Sequence, residues 1–232
     1  MKNKFITAKE AAAMIHDGDT VLVGGFLGHG TPELIMDEIV ANDSIKGITV
    51  VSNDVAFDEG KDPGCVRPGC VGNSKLLKAH KIKKLINSHM GTNPEAARQM
   101  TSGELIVELN PQGTLVERVR AAGYGLGGFL TPTGVGTDIA NGKQVINVNG
   151  RDYLLELPLP GDVAIVRASK VDKFGNCYFN GSTRNFCPVW CMGAPICIVE
   201  AEQVVEIGEI KPEDVHVPGV VVTYIVDGGA RK

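Results

Sequence analysis

The sequence lacks a long hydrophobic run, an excess of basic charge and a high aromatic content. No apolar stretch approaches the roughly 20 residues that a membrane-crossing helix needs, and Met1 to Lys4 lead into an amphipathic segment rather than a signal-peptide core. The chain has 23 Lys and Arg residues and 27 Asp and Glu residues, and it has no basic stripe interleaved with aromatic residues. We therefore expect a cytoplasmic protein that binds neither membranes nor nucleic acid.

Paired metal-ligand spacing is also missing. The six cysteines include Cys65 with Cys70 and Cys187 with Cys191, and neither pair has the CxxC spacing of a zinc site. The five histidines are scattered along the chain. We therefore predict no metal site and no disulfide scaffold, with Cys187 and Cys191 packing as small apolar side chains on either side of Trp190.

The sequence does contain a regular alternation of helix and strand patterns. The 232 residues are 43% hydrophobic, and the 29 glycines are scattered, as in chains with many tight turns. Helices are predicted over 7–16, 32–40, 74–81, 94–101 and 113–122, and strands over 21–23, 48–51, 84–88, 105–109, 163–168 and 196–200. This alternation predicts an α/β fold: one domain over residues 1–232, with an open, mostly parallel sheet and helices on both faces.

Residues 123–161 break the alternation. Residues 144–149 and 152–156 are predicted to form two antiparallel strands joined by Asn149-Gly150, a dipeptide that favours the tight turn of a β-hairpin. We expect a small antiparallel insertion within the same domain, because no Ser- or Pro-rich linker divides the chain. The segment 211–224 is expected to form an exposed turn followed by a strand.

The segment 17–32, DGDTVLVGGFLGHGTP, is the most informative part of the chain. An apolar strand ends in four closely spaced glycines, and Thr31 and Pro32 are a typical N-cap and first helical residue. Glycines permit positive φ and close backbone approach, and free N–H groups at a helix start attract anions. The segment predicts either a backbone-lined anion site or simply a tight strand-to-helix turn, and its spacing alone does not decide between them.

Other polar motifs follow the neighbouring predicted strands. They are Asn53-Asp54, Gly91-Thr92-Asn93 and Asn110-Pro111-Gln112-Gly113. Ligands of parallel α/β sheets bind beyond the carboxyl ends of the strands, so we expect these motifs and the glycines to line one cleft. None of them supplies a nucleophile. Glu104 precedes, and Glu108 lies in, a predicted strand with alternating apolar residues. We interpret both as solvent-facing or structural carboxylates.

The segment 17–32 resembles the signature of the family I coenzyme A transferases. Further motifs occur in the family's order: Gly91-Thr92-Asn93-Pro94-Glu95, Ser102-Gly103-Glu104, Asn110-Pro111-Gln112-Gly113-Thr114-Leu115, Thr131-Pro132-Thr133-Gly134-Val135-Gly136-Thr137, Gly175-Asn176 and Arg184-Asn185-Phe186. The chain is similar to the alpha subunit of the two-subunit acetate, acetoacetate and butyrate type. It departs from the family at Cys187, where Asn commonly follows Asn185-Phe186, which puts a polar role at this position in doubt.

The resemblance implies the CoA-transferase fold and transfer of CoA between a short-chain acyl-CoA and a free short-chain carboxylate, through a glutamyl-CoA thioester. In the family the nucleophilic glutamate follows a serine, and this sequence has no Ser-Glu dipeptide. The resemblance therefore implies a beta subunit that carries the nucleophile, in an α2β2 heterotetramer. It implies no permanently bound cofactor, CoA being a substrate. The residues implied to contact CoA are Gly24, Gly25, Phe26, Leu27, Gly28, His29 and Gly30, and Gln112 is implied to lie near the reacting acyl carbonyl.

Alternatives remain for the roles of individual residues and for the function of the whole protein. Gln112 could equally be a turn amide bonded to nearby backbone. His29 is interpreted as lining rather than as a base, and Phe26 is expected to pack under the loop rather than cover a ligand. For the whole protein, the alternatives are the alpha chain of a related acyl-CoA hydrolase or lyase, which the identity of the acceptor separates, and a non-enzymatic small-anion-sensing domain, which would show no turnover.

Overall fold

The computed structural model describes residues 3–57 and 72–229. Within them the α-helices are α1 (Ala8–Ala13), α2 (Glu33–Ala41), α3 (Asn73–Lys78), α4 (Pro94–Ser102), α5 (Gln112–Gly123) and α6 (Cys187–Trp190). The strands are β1 (Thr20–Val23), β2 (Ile48–Val51), β3 (Ile82–Asn87), β4 (Ile106–Leu109), β5 (Phe129–Thr131), β6 (Val145–Val148), β7 (Arg151–Glu156), β8 (Val163–Ala168), β9 (Lys170–Asp172), β10 (Cys177–Tyr178), β11 (Ile196–Ala201), β12 (Val204–Val205) and β13 (Tyr224–Asp227). Among these helices, none combines the length and the apolar composition that crossing a bilayer requires.

The main sheet has seven strands in the order β13-β11-β8-β1-β2-β3-β4, and every neighbouring pair is parallel. The predicted open, mostly parallel sheet is therefore confirmed. Strands β1 to β4 lie side by side in chain order. The four segments that follow them consequently emerge in a row along one edge of the sheet, and this edge carries the polar motifs.

Helices cover both faces of the sheet, as predicted. On one face Val21 and Val23 of β1 pack with residues of α1 to α4, including Ile35 and Leu77. On the other face Leu22 lies in a cluster with residues of α5 and α6, including Trp190. Successive residues of β1 are thus buried on opposite sides, which is why the strand is a continuous apolar run in the sequence.

The antiparallel insertion is confirmed as a three-stranded sheet in the order β5-β7-β6. Asn149 and Gly150 join β6 to β7 with φ values of +52° and +82°, the left-handed backbone of a primed hairpin turn. The register places a set of apolar side chains on one face of this sheet, none of which is buried: Leu130, Ile146, Val148, Tyr153 and Leu155. We call this set the small-sheet apolar face.

A second small sheet, in the order β10-β9-β12, was not predicted from the sequence. Its strands have two or three residues each, which is too short for an alternating pattern to be recognised. The exposed turn predicted after residue 211 is confirmed as a single helical turn, Pro212–Asp214, and the strand that follows is β13.

The starts of two helices differ from the prediction. Thr31 does not cap α2: Pro32 occupies the cap position, and its own side chain makes no capping hydrogen bond. Helix α5 begins at Gln112, one residue before the predicted start at residue 113, with Pro111 as its cap. Gln112 therefore lies in the first turn of a helix rather than in a loop.

The described cysteines are free and buried, at Cys177, Cys187, Cys191 and Cys197. Burial raises the pKa of the Cys187 thiol to about 12, so this group is neutral at physiological pH. The predicted packing of Cys187 and Cys191 in the core with Trp190 is confirmed. Cys65 and Cys70 lie outside the described residues.

Candidate active site

The loop over residues 24–30, here called the glycine loop, contains a two-residue turn. The Phe26 N–H donates to the His29 carbonyl at 3.0 Å, and the His29 N–H donates to the Phe26 carbonyl at 2.9 Å. Between them Leu27 and Gly28 have φ values of +49° and +87°. Leucine rarely adopts this left-handed backbone, so the surrounding structure must hold it there.

The base of the glycine loop is packed against the protein. A Cβ on Gly24 would lie 2.7 Å from the Cys187 sulfur, and a Cβ on Gly25 would overlap the Thr31 methyl group. Gly25 also has a φ of +118°, which side chains rarely adopt. These two glycines are thus required by close approach within the chain itself, and Cys187, where the sequence departs from the family pattern, supports the loop from below.

The outer part of the glycine loop is open to solvent. Phe26 is 37% exposed, and its packing under the loop stays a prediction. His29 is also exposed, and its carbonyl accepts a bond from the Asn185 amide. Within residues 3–57 and 72–229, the backbone N–H groups of Gly28 and Gly30 have no protein acceptor. Gly28 is partly exposed, so its N–H can meet an acceptor on a ligand, whereas Gly30 is buried.

The start of α2 is not a free anion site, a question that the sequence left open. The N–H groups of Leu34 and Ile35 both donate to one carboxylate oxygen of Glu200, at 2.9 and 3.3 Å. Glu200 is fully buried in β11 and occupies the position that a phosphate would take. The signal available in the sequence was a lone carboxylate within an otherwise apolar strand, but its partner is 166 residues away.

The polar segments after β1, β2 and β4 meet through a chain of hydrogen bonds. The Gln112 side-chain amide donates to Asn53 Oδ1 at 2.7 Å, and the Asn53 amide donates to Asp54 Oδ2 at 2.5 Å. The same Asp54 oxygen accepts the Leu27 N–H at 2.9 Å. Asn53 and Asp54 are buried, whereas Gln112 is exposed. The exposed amide of Gln112 and the outer part of the glycine loop are therefore connected at one edge of the sheet.

The segment after β3 supports this edge from the side. The Thr92 hydroxyl donates to the Ala56 carbonyl at 3.0 Å, and the Ser88 hydroxyl donates to Asn53 Oδ1 at 3.0 Å. Asn93 caps α4 by accepting the N–H groups of Glu95 and Ala96. The predicted convergence of the motifs on one edge is thus present in the structure, with Thr92 and Asn93 in structural roles.

Glu104 and Glu108 are held by cations, as their interpretation as structural carboxylates requires. Hydrogen bonds from Arg98 and Ser102 lower the pKa of Glu104 to about 2. Burial raises the pKa of Glu108, but hydrogen bonds from Lys84, Arg118 and Asn110 outweigh this effect and lower it to about 2. The Lys84 and Arg118 nitrogens lie 2.8 and 3.1 Å from the Glu108 oxygens. Carboxylates engaged in this way are poor nucleophiles.

Replacing Glu108 by glutamine should lower the free energy of unfolding by about 1 kcal/mol or less at neutral pH, because a partly exposed ion pair is screened. A depressed pKa stabilises the fold above the unfolded value of about 4.3, and this contribution is lost as the pH falls toward 2. Urea unfolding of both proteins at pH 7 and pH 4 measures the difference. It should shrink at pH 4, and a difference that grows on acidification would contradict the ion-pair assignment.

No three His, Cys, Asp or Glu side chains among the described residues are grouped so that they could hold a metal ion. The absence of a metal and of a permanent cofactor stays a prediction.

A family model described as "Coenzyme A transferase" matches residues 5–228. The acetoacetyl-CoA:acetate/butyrate CoA transferase alpha subunit of Clostridium acetobutylicum is 44% identical over 226 residues, which cover 97% of this chain and 98% of that protein. The alpha subunit of the acetate CoA-transferase of Escherichia coli K12 is 42% identical over 227 residues, covering 97% of each chain.

Among solved structures, an acyl-CoA transferase from Escherichia coli O157:H7 in a thioester complex with CoA has a TM-score of 0.83. It is 20% identical, and the alignment covers 97% of this chain but 50% of that one. At this identity the likeness establishes the fold. This chain spans half the length of that solved chain.

Proposed function

Because the chain belongs to the coenzyme A transferase family, we propose that it is the alpha subunit of an enzyme that moves CoA between a short-chain acyl-CoA and a free short-chain carboxylate. Acetyl-, butyryl- and acetoacetyl-CoA are the proposed acyl donors. The observation that carries the proposal is that the chain aligns over nearly its full length, at 44% and 42% identity, with proteins named as alpha subunits of such enzymes. The family resemblance of the sequence motifs points the same way.

In the proposed chemistry, the nucleophile is a glutamate of the beta subunit. Its carboxylate attacks the thioester carbonyl, the C–S bond breaks, and CoA leaves as a thiolate, giving an acyl-glutamyl anhydride. The thiolate then attacks the glutamyl carbonyl and releases the first carboxylic acid as its anion, leaving a glutamyl-CoA thioester. The acceptor carboxylate reverses these steps and leaves with CoA. The attacking groups are already anions, so no base is needed, and His29 has no proton to remove.

In this proposal the alpha subunit supplies hydrogen-bond donors. The N–H group of Gly28, which has no acceptor in the described part of the chain and belongs to a partly exposed residue, is available to CoA or to a carbonyl oxygen that gains negative charge. Gln112 uses one amide N–H to bond Asn53 and retains a second for the reacting acyl carbonyl. The connection of both groups through Asp54 supports their action on one substrate.

A beta subunit completes the proposed site, because Glu104 and Glu108 are held by cations. Two observations support such a partner: relatives are named as alpha subunits, and the small-sheet apolar face is available for association. We propose an α2β2 heterotetramer, which light scattering of the purified complex would test. The buried free thiols suit the reducing cytoplasm, where we propose that the enzyme works.

The test is CoA exchange between acetoacetyl-CoA and acetate or butyrate, measured with this chain alone and with the chain co-expressed with its beta subunit. Transfer by the complex alone, with ping-pong kinetics, is the expected result. Transfer by the isolated chain would contradict the placement of the nucleophile. Loss of acetoacetyl-CoA without a new acyl-CoA would indicate hydrolysis, and CoA binding without turnover would indicate a sensing domain.

A further inference from the structure

Asp54 is a buried carboxylate that bonds two loops. It lies just beyond β2 and is 5% exposed. Its Oδ2 accepts the Leu27 N–H at 2.9 Å, and its Oδ1 accepts the Ala56 N–H at 2.7 Å. Leu27 belongs to the glycine loop, whereas Ala56 belongs to the segment after β2. A single carboxylate therefore fixes the glycine loop to the neighbouring strand's loop.

Both backbone partners of Asp54 have an unfavourable conformation. Leu27 has a φ of +49° and Ala56 a φ of +58°, and neither residue is glycine. Left-handed backbone at such residues persists only where other interactions hold it. The two charge-assisted hydrogen bonds from Asp54 supply such an interaction at each position. Without them the glycine loop should sample other conformations.

Asp54 also determines which way the amides beside it point. An ionised carboxylate can only accept hydrogen bonds, so the Asn53 group that faces it must be the NH₂. The Asn53 oxygen then points the other way, where it accepts from the Ser88 hydroxyl and from the Gln112 amide. Gln112 must consequently present its own NH₂ to Asn53. The charge on Asp54 thus sets the orientation of Gln112 two side chains away.

We infer that Asp54 is a positioning residue of the transfer site, which holds the glycine loop through Leu27 and orients the Gln112 amide through Asn53. The inference rests on the proposed function, since Gln112 and the glycine loop are its proposed substrate-binding groups. Asp54 itself is buried behind them and contacts substrate in no step. The part of its contribution that acts through Asn53 should therefore appear in transfer only while Gln112 is present.

The test is a double-mutant cycle in the purified alpha-beta complex. Asp54→Asn keeps the shape of the side chain but turns one of two acceptor oxygens into a donor. Asp54→Asn alone should lower kcat about 30-fold. In the native background Gln112→Ala should lower kcat about 100-fold, whereas in the Asp54→Asn background it should lower kcat less than about 5-fold. Additive effects of the two substitutions on kcat would overturn the inference.

The matched control is Asp172→Asn. Asp172 is also buried, and it accepts the N–H groups of Phe174, Gly175 and Asn176 in a different loop. This variant should be less stable, should keep its kcat, and should leave the cost of Gln112→Ala unchanged. If Asp54→Asn does not assemble, Asp54→Ser, which removes the charge with a smaller side chain, enters the same cycle and is interpreted in the same way.

Hydrogen exchange of a peptide covering residues 24–31 gives a readout that needs no activity. Asp54→Asn should raise the exchange rate of this peptide at least 10-fold, and Asp172→Asn should leave it unchanged. Unchanged exchange in Asp54→Asn would overturn the inference. A wild-type complex without transferase activity would instead overturn the proposed function, and exchange would still decide whether Asp54 holds the loop.

Discussion

Replacing Gly25 by alanine should abolish CoA transfer while the alpha-beta complex still forms. The backbone of Gly25 has a φ of +118°, and a Cβ there would overlap the Thr31 methyl group. The strained conformation alone costs about 1 to 3 kcal/mol, and relief of the overlap requires the glycine loop to move. In the proposed site, movement of this loop displaces the Gly28 N–H group from the substrate. We expect kcat/KM for acetoacetyl-CoA to fall by at least about 1,000-fold, because misplacement of a site by about 1 Å already costs about 100-fold.

Gly208→Ala is the matched control for this prediction. Gly208 also has a left-handed φ, of +94°, but nothing lies within 4 Å of the Cβ that alanine would add. This variant should lose some stability and keep its transfer rate. Adding Thr31→Ser to Gly25→Ala removes the overlapping methyl group and keeps the hydroxyl that donates to the Gly28 carbonyl. The double variant should recover part of the activity. Normal turnover by Gly25→Ala would refute the assignment of the glycine loop.

Much of the fold could be predicted from local sequence patterns. Strands β2 and β8 have the predicted bounds, because a short apolar run between polar or glycine-containing segments is typical of a buried parallel strand. The hairpin turn at Asn149-Gly150 was also correct, since its two left-handed residues suit this dipeptide. In both cases the controlling interactions lie within a few residues, where a pattern can be recognised.

The internal connections of the site could not be predicted in this way. Glu200 caps α2 from 166 residues away, and Asp54 bonds Leu27 from 27 residues away. These pairs form because adjacent parallel strands end at the same edge, and their individual partners depend on side-chain directions that no local pattern contains. The sequence therefore predicted which segments meet, but it left open whether the start of α2 binds an anion, a position that the protein's own carboxylate occupies.

Replacing Gln112 by alanine should lower kcat about 100-fold with little change in KM for the acyl-CoA, because a donor to an oxygen that gains charge acts mainly in the transition state. Alanine is favourable in a helix, and Gln112 is exposed, so the complex should assemble normally. Steady-state kinetics of the purified complex measure both constants. Gln203→Ala, at another exposed glutamine outside the site, is the control and should keep its kcat.

Gln112→Glu separates the loss of a donor from the loss of side-chain volume. It keeps the size of the side chain but presents oxygens to Asn53 Oδ1, which accepts the Gln112 amide in the native protein. This variant should therefore lose at least as much kcat as Gln112→Ala. If Gln112→Ala retained kcat within about two-fold of the native value, Gln112 would only be an amide that fastens the start of α5 to Asn53. The donors to the acyl oxygen would then have to come from the glycine loop or from the beta subunit.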